Sequence, residues 1–270
     1  MIKLLALDMD GTLLNSEKKI SQENIAAIHK AIKAGVKLVL CTGRPPFGVQ
    51  PYFEQLGLTQ KNEYVIVDNG CAIHQTNDWS VIDWVALTKE DIRYLYELTL
   101  NSSIQLTLFD EKHYFVVGEK PSTIVERDAT YVFTNPVEIS LDEALSGKHI
   151  MFQAMFLGEK EAVDSFEARF SKDICQRFSG VRSQPVIYEA MPSGVTKAFA
   201  LERLAKKLKI SPQEIMAMGD ANNDIEMLEF AGLGIAMGNA SDHVKNLADD
   251  VTCSNDEHGV AVAIEKHILN

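Results

Sequence analysis

The chain has 270 residues, of which 46% are hydrophobic and 24% are charged, a composition typical of a globular protein with a sizeable core. The chain has 38 acidic and 26 basic residues, which give a net charge of -12. Because this negative charge repels the phosphates of DNA and RNA, we expect no nucleic-acid partner. No apolar run reaches the ~18 residues that a membrane span needs. Because Met1 is not followed by a signal peptide, we expect a cytoplasmic protein with no membrane partner.

The first third of the sequence predicts alternating strands and helices. The run KLLAL, residues 3–7, predicts a strand that ends at Asp8 and Asp10. Ser21 is then expected to cap an amphipathic helix. Two further apolar runs predict strands, at residues 36–41 and 64–67. This order, with strands that do not alternate in polarity, predicts a parallel sheet with helices on both faces.

The pattern changes in the middle of the chain and then returns. From about Thr88 to Glu189, helical stretches mix with alternating strands, which indicates a second, α+β unit. Afterwards a strand over 215–218 ends at Gly219 and Asp220, and a helix is expected near Val260. We therefore predict an α/β fold, a Rossmann-like doubly wound parallel sheet that is split in sequence by an inserted α+β unit.

Polar residues follow three of the predicted strands, and the carboxyl ends of parallel strands meet at one edge of a sheet. They are Asp8 with Asp10, then Thr42, Gly43 and Arg44, and finally Asp220, Asn223 and Asp224. Several carboxylates without His or Cys suit Mg²⁺. One carboxylate held by the metal can attack phosphorus while its neighbour protonates the leaving oxygen. Thr12 and Thr42 offer hydroxyl groups, and Lys197 offers a cation for the phosphate.

Each of these residues alone has an ordinary explanation. A lone D-x-D sequence also occurs in calcium loops, solvated turns and sugar-nucleotide transferases. Lys197 alone would be a surface charge, and Arg44 could pair with a surface carboxylate. Their order along the chain and their positions at strand ends favour the site.

Four segments resemble the motifs of the haloacid dehalogenase superfamily of phosphotransferases: DMDGTLL, TGR, Lys197 and GDANND. The stretches MAMGDANNDIEMLEFAGLGIAMGNA and GVAVAIEKHILN resemble the Cof-type branch, subclass IIB, and particularly its YidA-like sugar-phosphate phosphatases. The resemblance extends over nearly the whole chain, and no motif position departs from the family pattern.

The resemblance also implies a role for each motif residue. Asp8 would form an aspartyl-phosphate, and Asp10 would be the general acid and base. The implied Mg²⁺ ligands are Asp8, Asp10 through its backbone carbonyl, and Asp220. The implied phosphate-binding residues are Thr42, Gly43, Arg44, Lys197 and Asn223. Thr12 and Asp224 would support these groups from the outer shell of the metal.

The spacing of the motifs indicates where a cap domain is inserted. Thr42 follows Thr12 by 30 positions, and Lys197 follows Thr42 by 155, so only the second gap has room for a cap. This is the arrangement of the C2-cap class, with a core formed by 1–83 and 192–270 and a cap formed by 84–191. Phosphoserine-phosphatase-like and β-phosphoglucomutase-like members carry their cap in the first gap and are excluded, whereas some phosphomannomutases share the C2 arrangement.

The leading hypothesis is a Mg²⁺-dependent phosphatase of small phosphorylated metabolites, above all sugar phosphates, that works through an aspartyl-phosphate. A hexose phosphomutase with the same intermediate is the first alternative, and a non-catalytic sugar-phosphate sensor is the second. The partner expected in each case is a small phosphoester, and the protein is expected to be a monomer or a homodimer.

Overall fold

A computed structural model describes residues 1–58 and 62–269 of the chain. The chain forms two compact units. The first, called the core unit, comprises Met1–Gly43, Tyr52–Asp83 and the chain from Thr196 onward. The second, called the inserted unit, comprises Arg44–Pro51 and Trp84–Val195. The domain boundaries derived from the sequence, 1–83 with 192–270 and 84–191, stay a prediction.

Strands and helices alternate through most of the described chain. The strands are β1 (Leu4–Leu7), β2 (Lys37–Cys41), β3 (Tyr64–Val67), β4 (Ala72–Gln75), β5 (Val81–Trp84), β6 (Gln105–Phe109), β7 (Tyr114–Val117), β8 (Val137–Ile139), β9 (Gln153–Leu157), β10 (Phe178–Gln184), β11 (Ile187–Pro192), β12 (Ile215–Gly219), β13 (Leu233–Ala236) and β14 (Asp250–Val251). The α-helices are α1 (Gln22–Lys33), α2 (Pro46–Gln55), α3 (Lys89–Thr99), α4 (Thr123–Tyr131), α5 (Leu141–Ala144), α6 (Lys160–Arg177), α7 (Lys197–Leu208), α8 (Ile225–Phe230), α9 (Asp242–Leu247) and α10 (Gly259–Ile264).

The larger sheet has eight strands in the order β14-β13-β12-β1-β2-β3-β4-β5. Neighbouring strands from β14 to β3 are parallel, and β4 turns back antiparallel to β3. Within this sheet, Leu4 on β1 pairs with Ile215 on one side and with Lys37 on the other. The prediction of an α/β fold with a parallel sheet is confirmed.

Both faces of β1 are buried, which explains why its sequence does not alternate in polarity. Leu4 and Ala6 belong to one apolar cluster together with Leu201 and Leu204 of α7. Leu5 and Leu7 are also buried, and α1 packs against α10 in the same unit. A strand covered on both faces reads as a continuous apolar run, as KLLAL does.

The smaller sheet has six strands in the order β10-β11-β9-β6-β7-β8. All its pairs are antiparallel except the parallel pair of β7 and β8. One face packs against α3 and α6, with Leu95 and Phe166 in the same cluster as Phe156. On the other face, Tyr114 packs with Val125 of α4. This mixture of helices and antiparallel strands is the α+β unit that the change in pattern predicted.

Local capping signals also act as predicted. The Ser21 side chain accepts a hydrogen bond from the backbone N–H of Asn24 and caps α1. Ser211 and Glu214 form a capping box around a short 3₁₀ turn before β12. None of the helices within residues 1–58 and 62–269 is long and apolar enough to cross a bilayer.

Candidate active site

The carboxyl ends of β1 and β12 bring the first and last motifs together. Leu7 and Met218 are partners in the parallel pairing of these strands. The backbone N–H of Asp8 donates to the carbonyl of Met218 at 3.0 Å. Asp220 follows one residue beyond the end of β12. The strand-end rule therefore places Asp8 and Asp220 beside each other, as expected for a ligand site in a parallel sheet.

Lys197 joins two carboxylates inside the core unit. It is the first residue of α7, whose N-cap Thr196 accepts a hydrogen bond from the N–H of Phe199. Its Nζ donates to Asp8 Oδ1 at 2.7 Å and to Asp224 Oδ1 at 2.6 Å. The three side chains are 2%, 7% and 0% exposed, in the order Lys197, Asp8 and Asp224. This buried triad holds the nucleophile candidate in one position.

Asp224 uses both carboxylate oxygens for hydrogen bonds within the protein. While Oδ1 accepts from Lys197, Oδ2 accepts from the backbone N–H groups of Asp220 and Ala221, each at 3.0 Å. Gly219 permits this close approach, because a Cβ there would lie 2.5 Å from the Cβ of Asp224. Asp224 therefore fixes the backbone at Asp220 and the ammonium group of Lys197.

The Asp220 side chain lies against the loop that follows β1. Its Oδ1 accepts a hydrogen bond from the Thr12 hydroxyl at 3.1 Å. Gly11 has φ +89°, and a Cβ there would lie 2.3 Å from Asp220 Oδ2. Asn239 donates to the carbonyl of Gly11 at 2.9 Å and lies 3.4 Å from Asp220 Oδ2. Only glycine fits at position 11, because both the backbone angle and the space exclude a side chain.

Asp10 is more exposed than Asp8 and Asp224, with 38% of its side chain accessible. Its Oδ1 accepts a hydrogen bond from Lys18 Nζ at 2.7 Å. Lys18 belongs to the loop after β1 and has φ +57°. Sequence reasoning missed Lys18, because a lysine in a polar loop has no pattern that points to a site.

The Thr42 segment is held by Asn69, a second residue that the sequence analysis did not assign. The Thr42 carbonyl accepts from the Asn69 N–H at 3.0 Å, and the Asn223 side-chain amide donates to Asn69 Oδ1 at 3.1 Å. A Cβ at Gly43 would lie 3.1 Å from Asn69 Nδ2. Asn69 thus connects the second and fourth motifs.

Arg44 lies in a different environment from the other motif residues. It is part of the inserted unit, is 8% exposed, and donates from Nη1 to the backbone carbonyl of Tyr131 at 2.7 Å. The structure brings together Asp8, Thr12, Lys197, Asp220 and Asp224 through direct hydrogen bonds. Arg44 is not among the groups that these bonds join.

The signal that could have identified Asn69 and Asn239 was present in the sequence. Asn69 comes two residues after the end of β3, and Asn239 comes three residues after the end of β13. Both strands belong to the parallel part of the core sheet. The rule that found Asp8 and Asp220 therefore applies to these asparagines too.

The site carries more negative charge than its own lysine neutralises. Burial raises the pKa of Asp8 well above its ordinary value, and the nearby charge of Asp224 raises it further. Burial, and then the charge of Asp224, raises the pKa of Asp220 to about 6. For Lys197, burial favours a lower pKa, but the charges of Asp224 and Asp8 outweigh it, and its pKa lies above the ordinary value.

These residues fit a divalent cation. Asp8, Asp220 and Asp224 each offer a carboxylate oxygen, and the three oxygens lie within 4.8 Å of one another. Asp224 is fully buried and already accepts three hydrogen bonds, from Lys197 and from the N–H groups of Asp220 and Ala221, so Asp8 and Asp220 are the better ligands. A set of carboxylate oxygens suits a hard cation. Burial and then the charge of Asp224 raise the pKa of both groups, and a bound cation would favour their ionised forms.

Residues 5–264 match the family of haloacid dehalogenase-like hydrolases. YxeH of Bacillus subtilis strain 168 is 36% identical over 269 residues, which cover 100% of this chain and 99% of YxeH. 5-Amino-6-(5-phospho-D-ribitylamino)uracil phosphatase YcsE, from the same strain, is 33% identical over 269 residues, which cover 99% of this chain and 96% of YcsE. The structure of the HAD subclass IIB sugar phosphatase BT4131 covers 98% of this chain and 98% of its own, at 26% identity and a TM-score of 0.83.

The chain therefore belongs to the haloacid dehalogenase-like hydrolases. Within that family, its likeness to a subclass IIB structure over almost the full length confirms the Cof-type branch that the two C-terminal stretches predicted. The prediction of a phosphoric monoester hydrolase is confirmed at the level of enzyme class.

Proposed function

We propose that this protein is a Mg²⁺-dependent phosphatase that hydrolyses sugar phosphates and related polyol phosphates through an aspartyl-phosphate on Asp8. The observation that carries the proposal is the buried triad, in which Lys197 donates to both Asp8 and Asp224. A nucleophilic carboxylate must be held still and ionised. The hydrogen bond from Lys197 holds Asp8 and favours its ionised form, against burial and the charge of Asp224, which raise its pKa.

In the first step, an Asp8 carboxylate oxygen attacks the phosphorus, and the bond from phosphorus to the substrate's oxygen breaks. Asp10 donates its proton to that oxygen, so the alcohol leaves neutral. Asp10 suits this role because its side chain is accessible, with 38% exposed against 7% for Asp8. Hydrogen-bond donors of the Thr42 segment orient the phosphoryl oxygens.

In the second step, water attacks the phosphorus of the aspartyl-phosphate while Asp10 accepts a proton from that water. The bond between phosphorus and Asp8 breaks, inorganic phosphate leaves, and the Asp8 carboxylate is restored. Lys197 neutralises part of the negative charge on Asp8 throughout. The contact between Lys18 and Asp10 keeps the Asp10 side chain at one place on the loop.

Mg²⁺ bound to Asp8, Asp220 and the Asp10 carbonyl would supply positive charge for the equatorial phosphoryl oxygens. Asp220 is suited to hold it, because Thr12 fixes its carboxylate and Gly11 leaves space beside it. Asp224 would hold Asp220 and Lys197 in place without binding the ion itself.

The names of two of the similar proteins support a substrate class. BT4131 is named as a sugar phosphatase, and YcsE is named for a compound that carries a phosphate on a ribityl chain. Both ligands place a phosphate ester on a chain or ring rich in hydroxyl groups. We assign the same class to this protein, and we assign to residues 84–191 the role of a C2-type cap that selects the leaving group.

The test is phosphate release from a panel of sugar phosphates, polyol phosphates, flavin mononucleotide and pyridoxal phosphate, measured with Mg²⁺ and with EDTA. Wild type should release phosphate only with the metal. Asp8→Asn should lose about 10⁴-fold or more in turnover, because an amide is a poor nucleophile. Asp173→Asn is the matched control, because Asp173 is an exposed carboxylate on α6, and it should keep full activity.

The same panel separates the two alternatives. A hexose phosphomutase would isomerise its substrate without releasing phosphate in proportion to substrate loss, and it would need a bisphosphate activator. A sugar-phosphate sensor would bind a compound without turnover in the presence of Mg²⁺. Full activity of Asp8→Asn would contradict the covalent mechanism itself.

A further inference from the structure

A second cluster of ligand-type side chains lies in the inserted unit, whereas the side chains that act in the proposed reaction belong to the core unit. It consists of Asp110, His113 and His149, called here the His–Asp–His cluster. Each residue offers one ligand atom, and these atoms lie within 4.8 Å of one another. Among the described residues, this is one of two groups with such an arrangement, and it differs from the carboxylate site because it contains two imidazoles.

The Asp110 carboxylate lies between the two histidines. His113 Nδ1 is 2.9 Å from Asp110 Oδ1 and 3.0 Å from Oδ2. His149 Nδ1 is 2.7 Å from Oδ2. The side chains of His149 and Asp110 are 14% and 11% exposed, whereas 42% of His113 is accessible. Two imidazole nitrogens therefore face one carboxylate at the margin of the unit, with solvent access on the His113 side.

The surrounding residues fix two members of the cluster. Asp110 follows directly after β6, and its Oδ1 accepts from the backbone N–H groups of Lys112 and His113. The Phe115 ring stacks against His113 at 5.0 Å between centroids and meets His149 edge-on at 4.8 Å. Because both rings rest on the same aromatic side chain, their Nδ1 atoms already point inward.

The distances between donor atoms are close to those of a tetrahedral metal site. Bonds of about 2.0–2.2 Å from zinc to nitrogen and oxygen imply about 3.4 Å between neighbouring ligand atoms. The present distances of 2.7–3.0 Å need to open by about 0.5 Å to reach that spacing. His113 lies at the exposed end of the β6–β7 turn and can move by that amount. The proton of each neutral imidazole then lies on Nε2, which leaves Nδ1 to the metal.

The donor set also selects the kind of ion. Two imidazole nitrogens and one carboxylate suit Zn²⁺ and its neighbours among the transition metals, whereas Mg²⁺ prefers oxygen ligands. Three protein ligands leave a fourth position for water, and the exposed side of His113 admits it.

We propose that the His–Asp–His cluster binds Zn²⁺ or a similar transition-metal ion. The ion links the turn between β6 and β7, through Asp110 and His113, to the segment before β9, through His149. Because β6 and β9 are adjacent strands, bound metal stabilises this end of the smaller sheet.

The experiment uses the metal-free full-length protein with excess Mg²⁺ present, so that the carboxylate site is saturated. Zn²⁺ is titrated against a chromophoric chelator, and Cu²⁺ serves as a spectroscopic probe. We expect one Zn²⁺ per chain, and an electron paramagnetic resonance spectrum of bound Cu²⁺ with couplings to imidazole nitrogen. His113→Gln and His149→Gln should each weaken Zn²⁺ binding by more than about tenfold.

His243→Gln is the matched control, because His243 is an exposed histidine on α9 of the core unit, and it should leave Zn²⁺ affinity unchanged. Asp110→Asn is the second test, and it should weaken binding without removing a ring. Unchanged affinity in both cluster histidine variants, or a Cu²⁺ spectrum with oxygen ligands only, would overturn the proposal and leave a hydrogen-bonded cluster. The phosphatase activity of the cluster variants is measured as well. If they lose Zn²⁺ binding but keep that activity, the His–Asp–His cluster and the proposed active site are independent.

Discussion

The ionised Asp220 carboxylate that would bind Mg²⁺ lowers the stability of the metal-free protein. Its pKa is about 6 in the folded protein against an ordinary 3.8, because of burial and the charge of Asp224. The folded state therefore holds a proton on Asp220 more tightly than the unfolded state does. Without metal, the stability associated with this group is present below pH 4 and is lost as the pH rises through 6.

We predict that Asp220→Asn makes the metal-free protein more stable at pH 7.5, by about 1–3 kcal/mol, because it removes one of the mutually repelling charges. Asparagine keeps an acceptor for the Thr12 hydroxyl. Chemical denaturation in EDTA measures the change. Mg²⁺ should stabilise wild type and have no such effect on the variant.

The comparison with Asp173→Asn separates the local effect from a general reduction of negative charge. That exposed control should change the free energy of unfolding by less than about 0.5 kcal/mol. If Asp220→Asn were equally neutral in EDTA, the carboxylates would not repel one another in the way that their raised pKa values indicate.

Lys197 has the opposite role, because it holds two buried carboxylates together. We predict that Lys197→Met destabilises the protein by about 3–5 kcal/mol, since it leaves Asp8 and Asp224 buried without their cation. Turnover should fall by about 10²-fold or more, since the charge on the phosphoryl group loses a partner. Denaturation curves and single-turnover phosphate release measure the two effects.

Lys197→Arg keeps the charge and tests the geometry. It should restore a large part of the stability but less of the activity, because a guanidinium group does not reproduce the two contacts of one ammonium group. Full activity in Lys197→Met would contradict the assignment of Lys197.

At the scale of elements, the turn between β3 and β4 is packed against the start of α7. Gly70 has φ +105°, and a Cβ there would lie 2.2 Å from the Thr196 carbonyl oxygen. We predict that Gly70→Ala destabilises the protein by more than about 2 kcal/mol and reduces turnover, because it displaces the helix start that carries Lys197. Thermal unfolding and steady-state kinetics measure both.

Gly35 supplies the matched control for this substitution. It also has a left-handed backbone, with φ +94°, but a Cβ there would meet nothing within 4 Å. Gly35→Ala should therefore cost only about 1–2 kcal/mol for the backbone angle and leave turnover unchanged. Equal effects of the two substitutions would show that backbone strain alone, rather than the contact with Thr196, explains the loss.

The elements that carry the site were predictable for a clear reason. Strand ends such as those before Asp8 and Asp220 combine a buried apolar run with an abrupt polar residue, and that contrast is visible in the sequence. The position of Lys18 depends on a loop backbone with a positive φ of 57°. A positive φ is uncommon for a lysine, so the residue type gives no sign of this conformation.

At the scale of the whole molecule, the switch from apolar runs to alternating strands predicted two kinds of sheet. The order of strands in the smaller sheet was not predictable in the same way. β9 lies between β6 and β11, although β7 and β8 intervene between β6 and β9 in the chain. Pairing between strands so far apart depends on which faces pack together, and similar alternating patterns occur in all of them.

The overall charge also leads to a prediction. With a net charge of -12, the protein should show no binding to fluorescently labelled DNA or RNA in an anisotropy titration at physiological salt. Proteins bind nucleic acids largely because their basic side chains release the cations condensed on the phosphates. An acidic surface does not release them. Binding that weakens steeply with salt would reveal a basic surface that the net charge conceals.

The pairing of β1 with β12 limits the order in which parts of the protein can fold during synthesis. Thr12 and Asp220, which touch, are separated by 208 positions, so β1 leaves the ribosome long before its partner exists. The strands of the smaller sheet follow one another from β6 to β11 and can assemble in the meantime. Until β12 arrives, one edge of β1 stays open to other chains. A nascent chain of this protein therefore depends on protection of its N-terminal strand, and its reactive centre forms among the last parts.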